Sequence, residues 1–63
     1  MLEIKFSTGN AAFMDENGEL DDYSKAMESV RILKEVIAKI STGHSYGSCM
    51  DINGNKVGEW RLN

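Results

Sequence analysis

The chain has one cysteine, one histidine and few basic residues, and each shortage removes a class of protein. A lone Cys49 cannot form a disulfide within the chain, which excludes the stapled secreted scaffolds, and an unpaired thiol fits a reducing compartment. Cys49 and His44 are the only soft ligands, whereas a structural zinc asks for about four. No stretch approaches the ~18 consecutive apolar residues of a membrane span. Met1-Leu2-Glu3-Ile4-Lys5-Phe6 lacks the basic-then-apolar layout of a signal peptide. The expected location is therefore the cytoplasm, with no membrane contact. Seven Lys and Arg stand against ten Asp and Glu, a net charge of −3. That balance disfavours nucleic acid, whose affinity comes largely from cations that neutralise phosphates. It is also too mild for a DNA mimic.

Catalytic constellations are missing as well. Cys49 would need a base to become a nucleophile. His44 lies five residues away, about 16 Å along an extended strand and far outside hydrogen-bond reach. Asp15-Glu16-Asn17-Gly18-Glu19 and Asp51-Ile52-Asn53-Gly54-Asn55 look superficially like calcium loops. Counted from either Asp, the sixth and twelfth positions hold Leu20 and Ala26, or Lys56 and Leu62, where Gly and Glu belong. Turn chemistry explains both segments better. The carboxylate pairs Asp15/Glu16 and Asp21/Asp22 read as solvated charge, and the glycines have no phosphate-cradling spacing. No enzyme activity, metal or cofactor is expected.

What is present is a clear succession of elements. Leu2, Ile4 and Phe6 alternate with Glu3, Lys5 and Ser7, the period of a strand with one buried face. Residues 9–21 form a long connection, with Phe13 anchored in the core and room for a short strand. Tyr23, Ala26, Val30, Leu33, Ile37 and Ile40 then recur at spacings of three and four, an apolar helical stripe. Asp21 or Asp22 caps its start. Gly43 suits the left-handed position after its last turn, so the helix ends near Thr42.

The tail reads as a hairpin. Asn53-Gly54 favours a two-residue turn in which both residues take positive φ. Asp51 would then face Lys56, and Met50 would face Val57. Val57 and Trp60 are three apart, so a regular strand puts them on opposite faces. A bulge at Gly58 brings both inward; a three-residue loop would instead pair Tyr46 with Trp60 and leave Val57 outward.

The order β-α-β-β predicts an α+β domain: a three-stranded, antiparallel-rich sheet with one helix packed on one face. The expected core is Leu2, Ile4, Phe6, Val30, Leu33, Ile37, Ile40, Met50, Val57 and Trp60. Val36 falls on the rim of the helical stripe and Ile32 outside it, which suggests a second contact surface on the helix flank. Tyr46 and Trp60, near the free ends of the hairpin, are of the types that dominate binding hot spots, though Trp60 also suits the core. The candidate interaction surface is thus Ile32, Val36, Tyr46 and Trp60. A domain this small buries little of its own surface, and without disulfide or metal a homodimer is the expected source of extra stability.

Gly9-Asn10-Ala11-Ala12-Phe13, the run from Val30-Arg31-Ile32-Leu33 through Ile37-Ala38-Lys39-Ile40 to Gly43, and Asp51-Ile52-Asn53-Gly54-Asn55-Lys56-Val57-Gly58-Glu59-Trp60 together resemble small hypothetical proteins of tailed phages and prophages. The likeness covers most of the chain and is least over residues 15–22. It implies a small binding protein in the host cytoplasm that blocks a host defence protein stoichiometrically, in the manner of anti-CRISPR proteins or the small inhibitor of the Hachiman system. The alternatives are a nucleic-acid-binding or regulatory module, for which Lys25, Arg31, Lys34 and Lys39 supply the only basic cluster, and a nucleotide-binding sponge formed between subunits.

Overall fold

Leu2–Phe6 forms strand β1, as its alternation predicts. The computed structural model describes all residues from Met1 to Asn63. A short 3₁₀ turn follows at Ala11–Phe13, capped by the Asn10 side chain, which accepts from the Ala12 N–H. Met14 and Leu20 then meet in an isolated antiparallel bridge around a turn at Asp15–Gly18, so the long connection does contain a small paired segment. Helix α1 runs over Asp22–Ser41. Asp21 is its cap, accepting from the Ser24 N–H, and Gly43 takes φ 93° just beyond its end. Strands β2 (Tyr46–Met50) and β3 (Lys56–Leu62) complete the chain.

The sheet is wholly antiparallel, in the order β1-β3-β2, so the last strand is central and the other two are edges. Ile4 lies opposite Trp60 and Phe6 opposite Gly58 on one side, while Gly47 meets Trp60 and Cys49 meets Gly58 on the other. These rows define the inner face. The predicted α+β class and its β-α-β-β order are what the structure shows.

The hairpin differs from the two-residue turn. Asp51 N–H donates to the Asn55 carbonyl, closing a three-residue loop in which Gly54, at φ 84°, is the one residue with positive φ. Asn53 needs no left-handed backbone because the Asp51 carboxylate accepts from the N–H groups of Asn53 and Asn55. Asp51 is thereby occupied, and the expected pair with Lys56 does not form. A bulge is also present: Cys49 pairs with Gly58 but Met50 pairs with Lys56, leaving Val57 as the extra residue. Loop and bulge offset one another, and Trp60 turns inward. Gly58 is required here, since a Cβ at that position would collide with the Lys5 carbonyl and stand 2.5 Å from Phe6 Cα.

The core is small and differs from expectation on the helix. Its buried hydrophobic residues are Phe13, Ile32, Val36, Cys49 and Trp60, with Ile4, Phe6, Ala12, Ile40 and Val57 packed against them. Phe13 has no exposed surface, and its ring lies 6.4 Å from that of Phe6. Val30, Leu33 and Ile37, expected inside, are exposed, as are Leu2 and Met50. The helix meets the rest of the chain through Glu28, Ile32, Val36 and Ile40, a row of side chains four residues apart. Residues at that spacing stand one above another on a single helix face.

The molecule is extended, 39 × 20 × 15 Å, with a Cα radius of gyration of 12.1 Å; about 10.6 Å is usual for this length. Its surface of 4483 Å² exceeds by roughly 400 Å² what a monomer of 7.0 kDa ordinarily exposes.

Candidate interaction surface

The residues Ile32, Val36, Tyr46 and Trp60 gather around one groove of about 700 Å³ between α1 and β2. They do not all face solvent. Ile32, Val36 and Trp60 form its buried floor, and Tyr46 alone stands on the rim, 76 % exposed. The sequence-based surface is corrected accordingly: Ile32 and Val36 are core because the helix lays its four-spaced row on Phe13 and the sheet. Trp60 is core because the bulge turns it inward over Gly47, where a Cβ would sit 2.8 Å from the indole Nε1.

A large share of the exposed apolar surface lies on another side of the helix. Tyr23, Met27, Val30, Leu33 and Ile37 retain 73, 51, 42, 38 and 62 % of their surface. At 100° per residue, Leu33, Ala26, Ile37, Val30 and Tyr23 occupy one arc that begins beside Ile40 and turns away from the sheet, with Met27 just beyond the exposed Lys34. Exposed apolar area of this kind is a candidate interaction surface.

The outer face of the sheet is polar. Glu3, Arg61 and Tyr46 form one cross-strand row, and Lys5, Glu59 and Ser48 the next. Arg61 pairs with Glu3 at 3.2 Å. Alternating signs leave this face without a field of either charge.

Two polar clusters fix the elements relative to one another. Glu28, buried among the apolar row, accepts from Arg31 Nε at 2.5 Å and from the Ile52 N–H at 2.8 Å. Arg31 also donates to Glu35 and to the Met50 carbonyl, 2.8 and 2.7 Å away. A buried carboxylate is tolerable only with such partners. Glu28 holds the Arg31 guanidinium above its ordinary pKa through their hydrogen bond. The second cluster is Asp51, which accepts from the Asn53 and Asn55 amides and from Asn10 Nδ2 at 2.7 Å. Hydrogen bonds to the charged form, first of all from the Asn55 N–H, hold the Asp51 carboxyl below its usual value.

Glu28 reads from sequence as a solvated residue, and its role was hidden. The available signal was the row Glu28-Ile32-Val36-Ile40, in which a carboxylate heads an apolar line and Arg31 stands three residues on to compensate it. Arg31 is consequently lost to any basic patch.

The Cys49 thiol is buried, and burial raises its pKa. His44 bonds locally, to Thr42 and the Lys39 carbonyl. No group of His, Cys, Asp and Glu is arranged to hold a metal ion, and no helix is long and apolar enough to cross a membrane. Comparison with known proteins returns no matching family model, curated protein or solved structure.

Proposed function

We propose that this chain is a non-enzymatic, phage-derived binding protein that acts as a homodimer and blocks a host defence protein stoichiometrically. The observation that carries the binding role is the outward helix face, where five large apolar side chains lie in the open beside a core of only five buried hydrophobic residues. Such a surface is costly to leave in water, and association removes it. Apart from the buried Cys49 thiol, the buried titratable side chains, Glu28 and Asp51, are engaged by neighbours. This suits a protein that works by occupying a partner's surface. The phage context rests on the sequence resemblance, and the cytoplasmic location on the lone thiol.

The nucleic-acid alternative loses support from Arg31, whose guanidinium is engaged by Glu28, Glu35 and the Met50 carbonyl. Lys25, Lys34 and Lys39 remain, a thin basis for phosphate binding.

The test is expression of the chain in bacterial hosts that carry different defence systems, followed by phage challenge and affinity capture. Restored phage growth in one defended host, with the matching defence protein captured in a fixed ratio, is the expected result. Unchanged protection in every host, with no captured defence component, would reject the reading. Tight nucleic-acid binding that weakens steeply with salt would favour the alternative.

A further inference from the structure

The outward stripe of α1 has a repeat of its own. Tyr23, Ala26, Val30, Leu33, Ile37 and Ile40 fall at successive spacings of three, four, three, four and three. That is the heptad alternation of the two apolar positions of a coiled coil, whose partner is another helix. The same spacing would serve a helix lying on a sheet, but that is not the face this helix turns to the sheet. Here the sheet side is served by the row through Ile32 and Val36, so the heptad positions from Tyr23 to Ile37 are surplus to the monomer, while Ile40, half-buried against the core, ends both rows.

We infer that this face pairs with the same face of a second copy, as two antiparallel α1 helices about a two-fold axis near Arg31 and Ile32 in the sequence. The side-chain sizes set the direction. A parallel pair would stack Tyr23 on Tyr23 and Ala26 on Ala26, a crowded layer beside a void. The antiparallel pair places Tyr23 against Ile40 of the second copy, Ala26 against Ile37 and Val30 against Leu33, so each layer holds a larger and a smaller residue. Such complementary filling is what dense packing demands. No charged residue occupies any of the six positions, so closing the seam buries no unpaired ion. Met27 flanks the seam, and the aliphatic stem of Lys34 from the other copy can cover it while the ammonium stays in water.

The area agrees. From their exposures, the five large residues offer at most roughly 500 Å² per chain, or about 1,000 Å² for a two-fold pair, the threshold of a specific interface. The surface in excess of an ordinary monomer, roughly 400 Å² per chain, is of the same order. An isologous contact of this kind closes on itself and stops at two copies. It leaves both sheet faces and both grooves outside.

The inference rests on the homodimeric reading above and assigns its interface, while leaving the host target untouched. The mass of the full chain in solution, measured across micromolar concentrations, should be that of two copies. Val30→Glu should weaken the dimer at least about a hundredfold, because two carboxylates would meet beside the axis. Ser48→Glu, on the outer sheet face, should leave the mass unchanged. Should Val30→Glu fail to fold, cysteine cross-linking at the exposed sites decides. Oxidised Ala26→Cys/Ile37→Cys chains should link into covalent dimers, whereas Ala26→Cys alone should link poorly. The two positions lie about 16 Å apart along one helix and cannot bridge within it. A folded monomer at high concentration, a Val30→Glu variant that keeps the wild-type mass, or no covalent dimer from the double variant would overturn the pairing. Efficient linking through Ala26→Cys alone would overturn its direction. Host-protein capture by a chain shown to be monomeric would separate the two claims: the inhibitor reading stands and this interface falls.

Discussion

Asn10 and Asp51, forty-one residues apart in the chain, are joined by a hydrogen bond of 2.7 Å from the amide Nδ2 to the carboxylate Oδ2. Each is already the organiser of its own turn. Asn10 accepts from the Ala12 N–H and so starts the 3₁₀ turn that delivers Phe13 to the core. Asp51 gathers the amides of the hairpin loop. One contact therefore ties the placement of Phe13 to the shape of the hairpin.

Asn10→Ala removes both the cap and the tie. A loss of about 1–3 kcal/mol is expected, seen as a lower urea midpoint. Faster amide exchange should appear at Ala12 and Phe13 as well as at Asn53 and Asn55. Protection unchanged in the hairpin would show that the two turns are independent.

Acid should expose the Asp51 cluster. Its folded pKa is lowered, so the charged form contributes stability above the unfolded value of about 3.9, and that contribution is lost as pH falls through the folded value. At neutral pH, Asp51→Asn should be less stable than the natural chain. The gap between them should narrow as pH falls below about 4, through the lowered folded value, because protonation then removes the same charge from the natural chain. Chemical denaturation at several pH values measures this directly.

Gly58 and Gly54 should respond very differently to alanine. Gly54→Ala forces a side chain into positive φ and should cost about 1 kcal/mol, with the fold retained. Gly58→Ala would drive a methyl group into the backbone of β1 at Lys5 and Phe6. A loss of at least about 3 kcal/mol is expected, a large share of what so small a domain has. Circular dichroism and thermal melts separate the two outcomes.

Glu28→Ala should cost about 1–3 kcal/mol, because the Ile52 N–H and the Arg31 guanidinium lose their acceptor inside a closed contact. Glu28→Gln keeps an acceptor oxygen for Ile52 and should recover part of that loss. Amide exchange at Ile52 distinguishes a lost bond from a general loosening.

Cys49 should be inert toward thiol reagents in the folded protein and react fully in denaturant, since it is buried and its pKa is raised. Rapid native labelling would mean that β2 opens readily from the helix.

The sequence carries the element order plainly because strand alternation, the helical stripe, the Asp21 cap and Gly43 are all local signals. Phe13 and the bulge before Gly58 are also visible there, the first as an isolated apolar residue and the second as a conflict of period between Val57 and Trp60. The side of the helix that meets the sheet is not. Periodicity states which residues share a face, and α1 has two apolar faces. The richer one, through Val30 and Leu33, suggests itself as core. The sheet instead takes the shorter row through Ile32 and Val36, which Glu28 heads and Arg31 neutralises. Of the four candidate surface residues, Ile32, Val36 and Trp60 are consequently buried, and Tyr46 alone stands in the open. Hairpin length escaped for a related reason: Asn53-Gly54 favours the shorter turn locally, and the Asp51 side chain, by holding two loop amides, stabilises the longer one.

Trp60 is the chain's single indole, and it forms the floor of the groove between α1 and β2, under the Tyr46 rim. The protein therefore carries a built-in fluorophore at the junction of helix and hairpin. Its emission should shift to longer wavelength when the helix lifts from the sheet, and a molecule seated in the groove should quench or shift it without any added dye. Titration by fluorescence can thus distinguish a ligand entering at this junction from one that docks on the distant side of the helix.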